Sequence, residues 1–197
     1  TIYSENYPKK LLDLDLPPYI LFCKGDISLL NTRCFGIVGS RVPTAYGRTV
    51  TQSIARGLAE NGLTIVSGLA MGVDKIAHET TLDVGGKTIA VLGGGFKHIY
   101  PAMNENLANS IIEKGLLVSE YRPSVRPTAY SFPVRNRIIA GLSDGILITE
   151  AGEKSGALHT KEYSLECGRD VFAVPGNITS AKSAGTNRLL KLSLIHI

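Results

Sequence analysis

Phe35-Gly-Ile-Val-Gly-Ser-Arg41, the segment from Ala45 to Asn61, and Leu63-Thr-Ile-Val66 together decide how this chain folds. Phe35 to Val38 is a short apolar run without alternation, which is how a strand buried on both faces reads. Gly39-Ser40-Arg41 ends it. Val50, Ile54 and Leu58 then recur at the spacing of one helical face, and Gly62 supplies the stop. Leu63 to Val66 is a second apolar run. One strand, one helix and a second strand in this order form a βαβ unit with parallel strands.

The same alternation continues outward. Ser67-Gly68 leads to a predicted helix from Val73 to Val84, then a strand at Thr88–Leu92 ending in Gly93-Gly94-Gly95. A helix from about Asn104 to Lys114 precedes a strand at Leu116–Ser119. A short helix is expected to start near Val134, with Ile138 to Leu142 as its body. A strand at Gly145–Thr149, a helix at Ala157–Gly168 and a strand at Asp170–Val174 complete the series. The expected fold is α/β: a doubly wound, mostly parallel sheet with helices on both faces, an extended Rossmann-like arrangement. Residues 1–33 read as a lead-in packed on the core, broken by Pro8 and Pro17-Pro18. In it Tyr19 to Cys23 forms a short strand against an edge of the sheet. The core is expected to span residues 34–190.

With 197 residues, 44% of them hydrophobic, the chain can bury a sizeable core, so disorder is excluded. A formal net charge of +4 permits binding to a polyanion without requiring it. Cys23, Cys34 and Cys167 are odd in number and lack metal-ligand spacing, so they read as reduced thiols of a cytoplasmic protein. No apolar run is long enough for a membrane span and no secretory leader is visible.

In such sheets ligands bind beyond the carboxyl ends of the strands. Four of those ends are small and polar: Gly39-Ser40-Arg41, Ser67-Gly68, Gly93-Gly94-Gly95 and Ser155-Gly156. Glycine admits a ligand close to the backbone, and the amides of a following helix attract anions. Tyr121 to Ser143 adds Arg122, Arg126, Arg135 and Arg137 with Tyr121, Tyr130 and Phe132 between them and no acidic residue. Guanidinium forks fit phosphate oxygens and flat rings stack unpaired bases. Pro123, Pro127 and Pro133 are expected to hold the first part of this segment out of a helix. The first turn lacks G-x-G-x-x-G and the second strand lacks a terminal acid, so NAD and FAD do not fit. No P-loop is present. The rim is left as a site for another phosphate-bearing ligand, with no cofactor, metal or catalytic set expected. Asp74 and His78, four apart on one helix, read as a helix-surface pair or a satisfied histidine.

Val38-Gly-Ser-Arg41, Val66-Ser-Gly-Leu-Ala-Met-Gly-Val-Asp-Lys-Ile-Ala-His78, Tyr100-Pro101, Phe132-Pro-Val-Arg-Asn-Arg-Ile-Ile-Ala-Gly-Leu-Ser143 and Ala173-Val-Pro-Gly176 resemble the DNA processing protein A (DprA/Smf) family. The resemblance implies a Rossmann-like core that binds single-stranded DNA in a basic pocket. It further implies a homodimer that loads RecA recombinase on incoming DNA in natural transformation. Carried over by position, Gly39, Ser40 and Arg41 belong to the pocket, with Arg135, Asn136 and Arg137 beside them and Ser155 and Gly156 across the crevice. Gly68 and Gly93 belong to the same rim. Lys97 is a further phosphate contact, and Phe96 either stacks a base or closes the core. Arg135 or Arg137 has an alternative role, pairing with Glu120 or Glu150 to hold the loops. Many family members carry small domains around the core, often a winged helix, and neither pattern is visible here. Residues 191–197 leave the family pattern.

The rival is an enzyme, a nucleoside monophosphate phosphoribohydrolase of the lysine-decarboxylase-like family. Its glutamate would follow a Gly-Thr turn, but aligning Ser155-Gly156 with that turn leaves His159 at the position, and Glu150, Glu153 and Glu162 off the spacing.

Overall fold

Period-two alternation decides which side of each strand meets which helices. Ile37 and Ile65 face one layer, while Val38 and Val66 face the other. The computed structural model describes residues 1–193 of the 197. Its elements in chain order are β1 (Phe22–Gly25), β2 (Cys34–Val38), α1 (Ala45–Glu60), β3 (Thr64–Ser67), α2 (Val73–Asp83), β4 (Thr88–Leu92), α3 (Glu105–Lys114), β5 (Leu116–Ser119), α4 (Ser131–Leu142), β6 (Gly145–Ile148), α5 (Ala157–Glu166), β7 (Asp170–Ala173) and α6 (Ala184–Ser193).

The seven strands form one sheet in the order β1-β5-β4-β3-β2-β6-β7. All neighbours are parallel except β1, which lies antiparallel to β5 with Phe22 opposite Ser119 and Gly25 opposite Leu116. The chain winds outward from β2 to β5, then returns through α4 to place β6 on the other side of β2. The winding direction therefore reverses between β2 and β6. Loops leaving those two strands diverge there, and a crevice opens beyond their carboxyl ends.

One face of the sheet is covered by α4, α5 and the lead-in, through Ile138, Ile139, Leu142, Leu11 and Leu14. The other face is covered by α1, α2 and α3, through Ala55, Val73, Ala77, Ala108 and Ile111. Leu11 and Leu14 approach Gly141 so closely that a β-carbon there would strike both. The lead-in is fastened further by Tyr7 Oη, which donates to Pro18 O at 2.6 Å, and by the Asp13–Arg169 ion pair. Cys34 and Cys167 are buried, Cys23 is half-buried, and all three are free thiols.

Three elements differ from the sequence reading. The edge strand starts at Phe22, because Tyr19 and Ile20 are exposed and only Phe22 to Gly25 find partners on β5. Helix α4 starts at Ser131 and contains Pro133, which was expected to lie before it. Proline is tolerated there because amides of a first turn have no intrahelical acceptor. Helix α6 carries no clear signal in the sequence and runs into the segment 191–197, of which residues 194–197 lie outside the described residues. No described helix is long and apolar enough to cross a membrane.

Candidate nucleic-acid interface at the switch point

The crevice between the β2 and β6 loops is a cleft of about 420 Å³, lined by Val38, Gly39, Arg41, Ala70, Asp74, Phe132, Pro133, Arg135, Asn136, Ser155, Gly156 and Ala157. Gly39 is required by packing: a β-carbon there would come within 2.8 Å of Val73 and 3.0 Å of Thr149. Arg41 is exposed at the mouth. Its guanidinium lies 5.7 Å from the centroid of the Phe132 ring, and it has no ion pair among the described residues. Stacking of this kind holds the cation in place without neutralising it. Gly156 lies across the cleft with open space over its α-carbon.

Several amides at the first two turns are already used. Glu150 is 2% exposed. Its carboxylate accepts from Thr44 N at 3.2 Å and Thr44 Oγ1 at 2.5 Å, while Ser40 N donates to Glu150 O at 2.7 Å. Thr44 Oγ1 in turn caps Gly47 N at 3.1 Å. The start of α1 is thus closed by the chain's own carboxylate and offers no anion site, contrary to the expectation for a helix N-terminus. Asp74 does the same at the second turn, where its Oδ2 accepts from Gly68 N at 3.1 Å and Ala70 N at 3.4 Å.

Two arginines hold the scaffold. Arg135 is 4% exposed; Nη1 donates to Gly68 O at 2.6 Å and also to Val91 O. Burial lowers its pKa to about 10, with the Asp74 charge opposing the fall. Burial raises the Asp74 carboxyl, against the pull of Arg135. Arg137 Nη2 donates to both oxygens of Glu120, at 2.6 and 2.8 Å, and it does not line the cleft. Its alternative role, holding the loops, is the one its geometry displays. Asn136 bridges the walls, accepting from Arg135 Nε at 3.2 Å and donating to Gly156 O at 3.4 Å.

Gly68 and Gly93 are corrected in the same way. Gly68 is packed against the Arg135 guanidinium and borders a cavity of about 30 Å³, too small for a phosphate. Gly93 is covered by Phe132, 2.9 Å from where a β-carbon would stand, and Gly94 by Pro127. The arginine-rich segment closes over this turn, with Gly95 N donating to Val125 O at 2.8 Å and Lys97 N to Pro123 O at 3.0 Å. Close chain-on-chain packing explains these glycines. Phe96 is half-buried against the α3 side of the core and borders a neighbouring groove with the exposed Lys97. Ser40 stands half-buried at the turn, its Oγ accepting from Val42 N at 3.2 Å, and Ser155 Oγ accepts from Ala157 N at 3.3 Å. The cleft therefore gathers Gly39, Arg41, Arg135, Asn136, Ser155 and Gly156. It adds Asp74, which sequence reasoning had connected only with His78. The signal was its place just after a glycine turn, where a carboxylate can fold back on amides.

Asp74 and His78 are not partners. His78 is fully buried, and its Nδ1 lies 2.7 Å from Thr88 Oγ1, which donates to Ile65 O. That chain assigns the proton to Nδ1. Burial, with the Arg135 charge added, lowers its pKa to about 3. Between pH 6.5 and about 3 the unfolded chain takes up a proton that the folded chain refuses, so this group costs stability as pH falls. The slope is about 1.4 kcal/mol per pH unit. Asp74 works with the opposite sign, since its raised carboxyl is protonated first in the folded state. Urea midpoints at pH 7 and pH 4.5 for the wild type and His78→Asn should show the smaller pH loss in the variant. Equal losses would mean that His78 does not titrate as its burial requires.

The loop of the rival enzyme reading holds no carboxylate facing the cleft. Glu150 is tied to Thr44, His159 is exposed beside Glu162 at 3.6 Å, and Glu153 is exposed. Among the described residues no cluster of metal-ligating side chains occurs.

The model of the family described as DNA recombination-mediator protein A matches residues 1–193. DNA processing protein DprA of Bacillus subtilis is 44% identical over 191 residues, which are 96% of this chain and 64% of that protein. Protein Smf of Escherichia coli is 45% identical over 193 residues, 98% of this chain and 52% of that protein. The chain thus spans between about half and two thirds of these relatives. The crystal structure of DNA processing protein A from Streptococcus pneumoniae superposes with a TM-score of 0.94 at 43% identity, over 98% of this chain and 68% of that one. A structure of the Helicobacter pylori protein, described by its single-stranded DNA binding mode, gives 0.90 at 38% identity, over 96% of this chain and 86% of that one. A molybdenum cofactor binding protein from Rippkaea orientalis, at 0.55 and 16% identity over 84% of this chain and 98% of that one, shares the fold alone.

Proposed function

The chain belongs to the DNA recombination-mediator protein A family, and from that premise we propose that its switch-point cleft binds single-stranded DNA without cleaving it. The observation that carries this reading is Arg41, an uncompensated guanidinium stacked on Phe132 at the mouth of a 420 Å³ cleft. One phosphate fits the Arg41 fork, with a base against the Phe132 ring. Gly39, Asn136, Ser155 and Gly156 form the walls, Ser40 stands at the turn beside them, and Arg135 supports the floor. The single-stranded DNA described for the Helicobacter pylori relative supports the same ligand here. Backbone contacts of this kind carry little sequence preference. The binding unit is residues 34–190, braced by residues 1–33. In the cell the proposed role is that of a cytoplasmic dimer that delivers strands to RecA recombinase during natural transformation.

The test compares an unpaired oligonucleotide, its duplex and a mononucleotide at two salt concentrations. The unpaired strand should bind tightest, because a narrow crevice admits one backbone and unstacked bases. Its affinity should fall with salt, with a logarithmic slope of about −0.7 for each phosphate held. Duplex binding of equal strength, or no salt dependence, would overturn the reading.

A further inference from the structure

The cations around the cleft and its surroundings differ in how far they are engaged. Arg135, Arg137, Arg169 and Lys10 are engaged by carbonyls or carboxylates. Arg41, Lys97 and Arg126 are exposed and have no ion pair or side-chain hydrogen bond among the described residues. These three all stand along one furrow. The switch-point cleft shares Arg41 and Phe132 with an adjoining groove of about 370 Å³. That groove shares Tyr100 and Pro127 with a third cavity of about 400 Å³, which Lys97 and Arg126 line. Between the ends lies an aromatic ledge: the Tyr100 and Phe132 rings are 5.4 Å apart at their centroids, and Tyr100 is 56% exposed.

Resting on the strand-binding reading of the cleft, we propose that a bound strand leaves the cleft over the Tyr100–Phe132 ledge and lays a second stretch of backbone between Lys97 and Arg126. The station is built, because the Lys97 turn and the Arg126 loop are stitched together by Lys97 N to Pro123 O and Gly95 N to Val125 O. The covering of Gly93 to Gly95 thus acquires a use: it brings two cations from separate loops to one cavity. Glu105 lines the same cavity, so the two cations outnumber one carboxylate and the phosphates belong on the Lys97–Arg126 side. The ligand class is an unpaired polynucleotide longer than the cleft can hold. An exposed ring between two phosphate stations suits any base, since every base has a stacking face.

The experiment measures oligothymidylates of about 4 and about 16 nucleotides, the span of single-strand site sizes, against the wild type, Lys97→Ala/Arg126→Ala and Tyr100→Ala. The wild type should gain affinity with length. The double variant should lose about tenfold on the longer strand and less than about twofold on the shorter, and its salt slope on the longer strand should fall by about 1.4, two phosphates at about 0.7 each. Tyr100→Ala should lower long-strand affinity without changing the slope, because the ring carries no charge. Equal losses on both lengths, or none, would overturn the extended path while leaving the cleft reading intact. Absence of salt-dependent binding of either length to the wild type would sink both.

Discussion

Arg135→Met is expected to lower the unfolding free energy by about 3–5 kcal/mol, the usual cost of removing one member of a buried charged network. The guanidinium is 4% exposed and donates to carbonyls of two different segments, Gly68 O in the turn after β3 and Val91 O in strand β4. Methionine fills similar volume but donates nothing, so both carbonyls would lose this donor and the Asp74 carboxylate, still held by Gly68 N and Ala70 N, would lose the neighbouring positive charge in a low-dielectric floor. The opposing pKa directions of the two residues make the same point: burial, not mutual attraction, dominates each of them. Urea unfolding followed by circular dichroism measures the loss. An unchanged midpoint would mean that Arg135 is free to serve a ligand instead of the fold.

Arg41→Ala should weaken binding to an unpaired oligonucleotide about 10- to 100-fold, the 1.5–3 kcal/mol that a hydrogen bond to a charged group contributes. The salt slope should flatten by about 0.7. Stability should stay within about 0.5 kcal/mol of the wild type, since an exposed side chain with no polar partner supports nothing in the fold. Arg41→Lys should retain the slope yet lose part of the affinity, because an ammonium keeps the charge without the planar fork or its stacking on Phe132. Fluorescence anisotropy across a salt series separates these outcomes. Undiminished affinity in Arg41→Ala would remove this residue from the site.

Much of the sheet could be read from the chain because its strands are buried on both faces. Leu116 to Ser119 and Thr88 to Leu92 have the bounds that their apolar runs suggest. Direction could not be read for β1, since Phe22 to Gly25 has the same composition whether it pairs parallel or antiparallel with β5. Helix α6 was missed because the segment at Ala184 follows a polar stretch with no recognisable start signal. The strand-end rule pointed to Gly39 and Arg41, and both line the cleft. What it could not find was which charges are spent. Glu150 meets Thr44 across 106 positions of chain, and Arg137 meets Glu120 across 17, so only the folded arrangement tells an engaged group from an available one.

The carboxylates folded into the turns at Thr44 and Gly68 have a bearing on selectivity. Nucleoside phosphates and dinucleotides would compete for any bare amide nest of the Rossmann type. A carboxylate set into each nest from within would weaken the grip of these small competitors. What is left on the outside is a set of separated, individually feeble holds, and feeble holds add up only for a ligand that can touch several of them at once. A polymer can do so, whereas a monomer that bridges no two of them gains nothing.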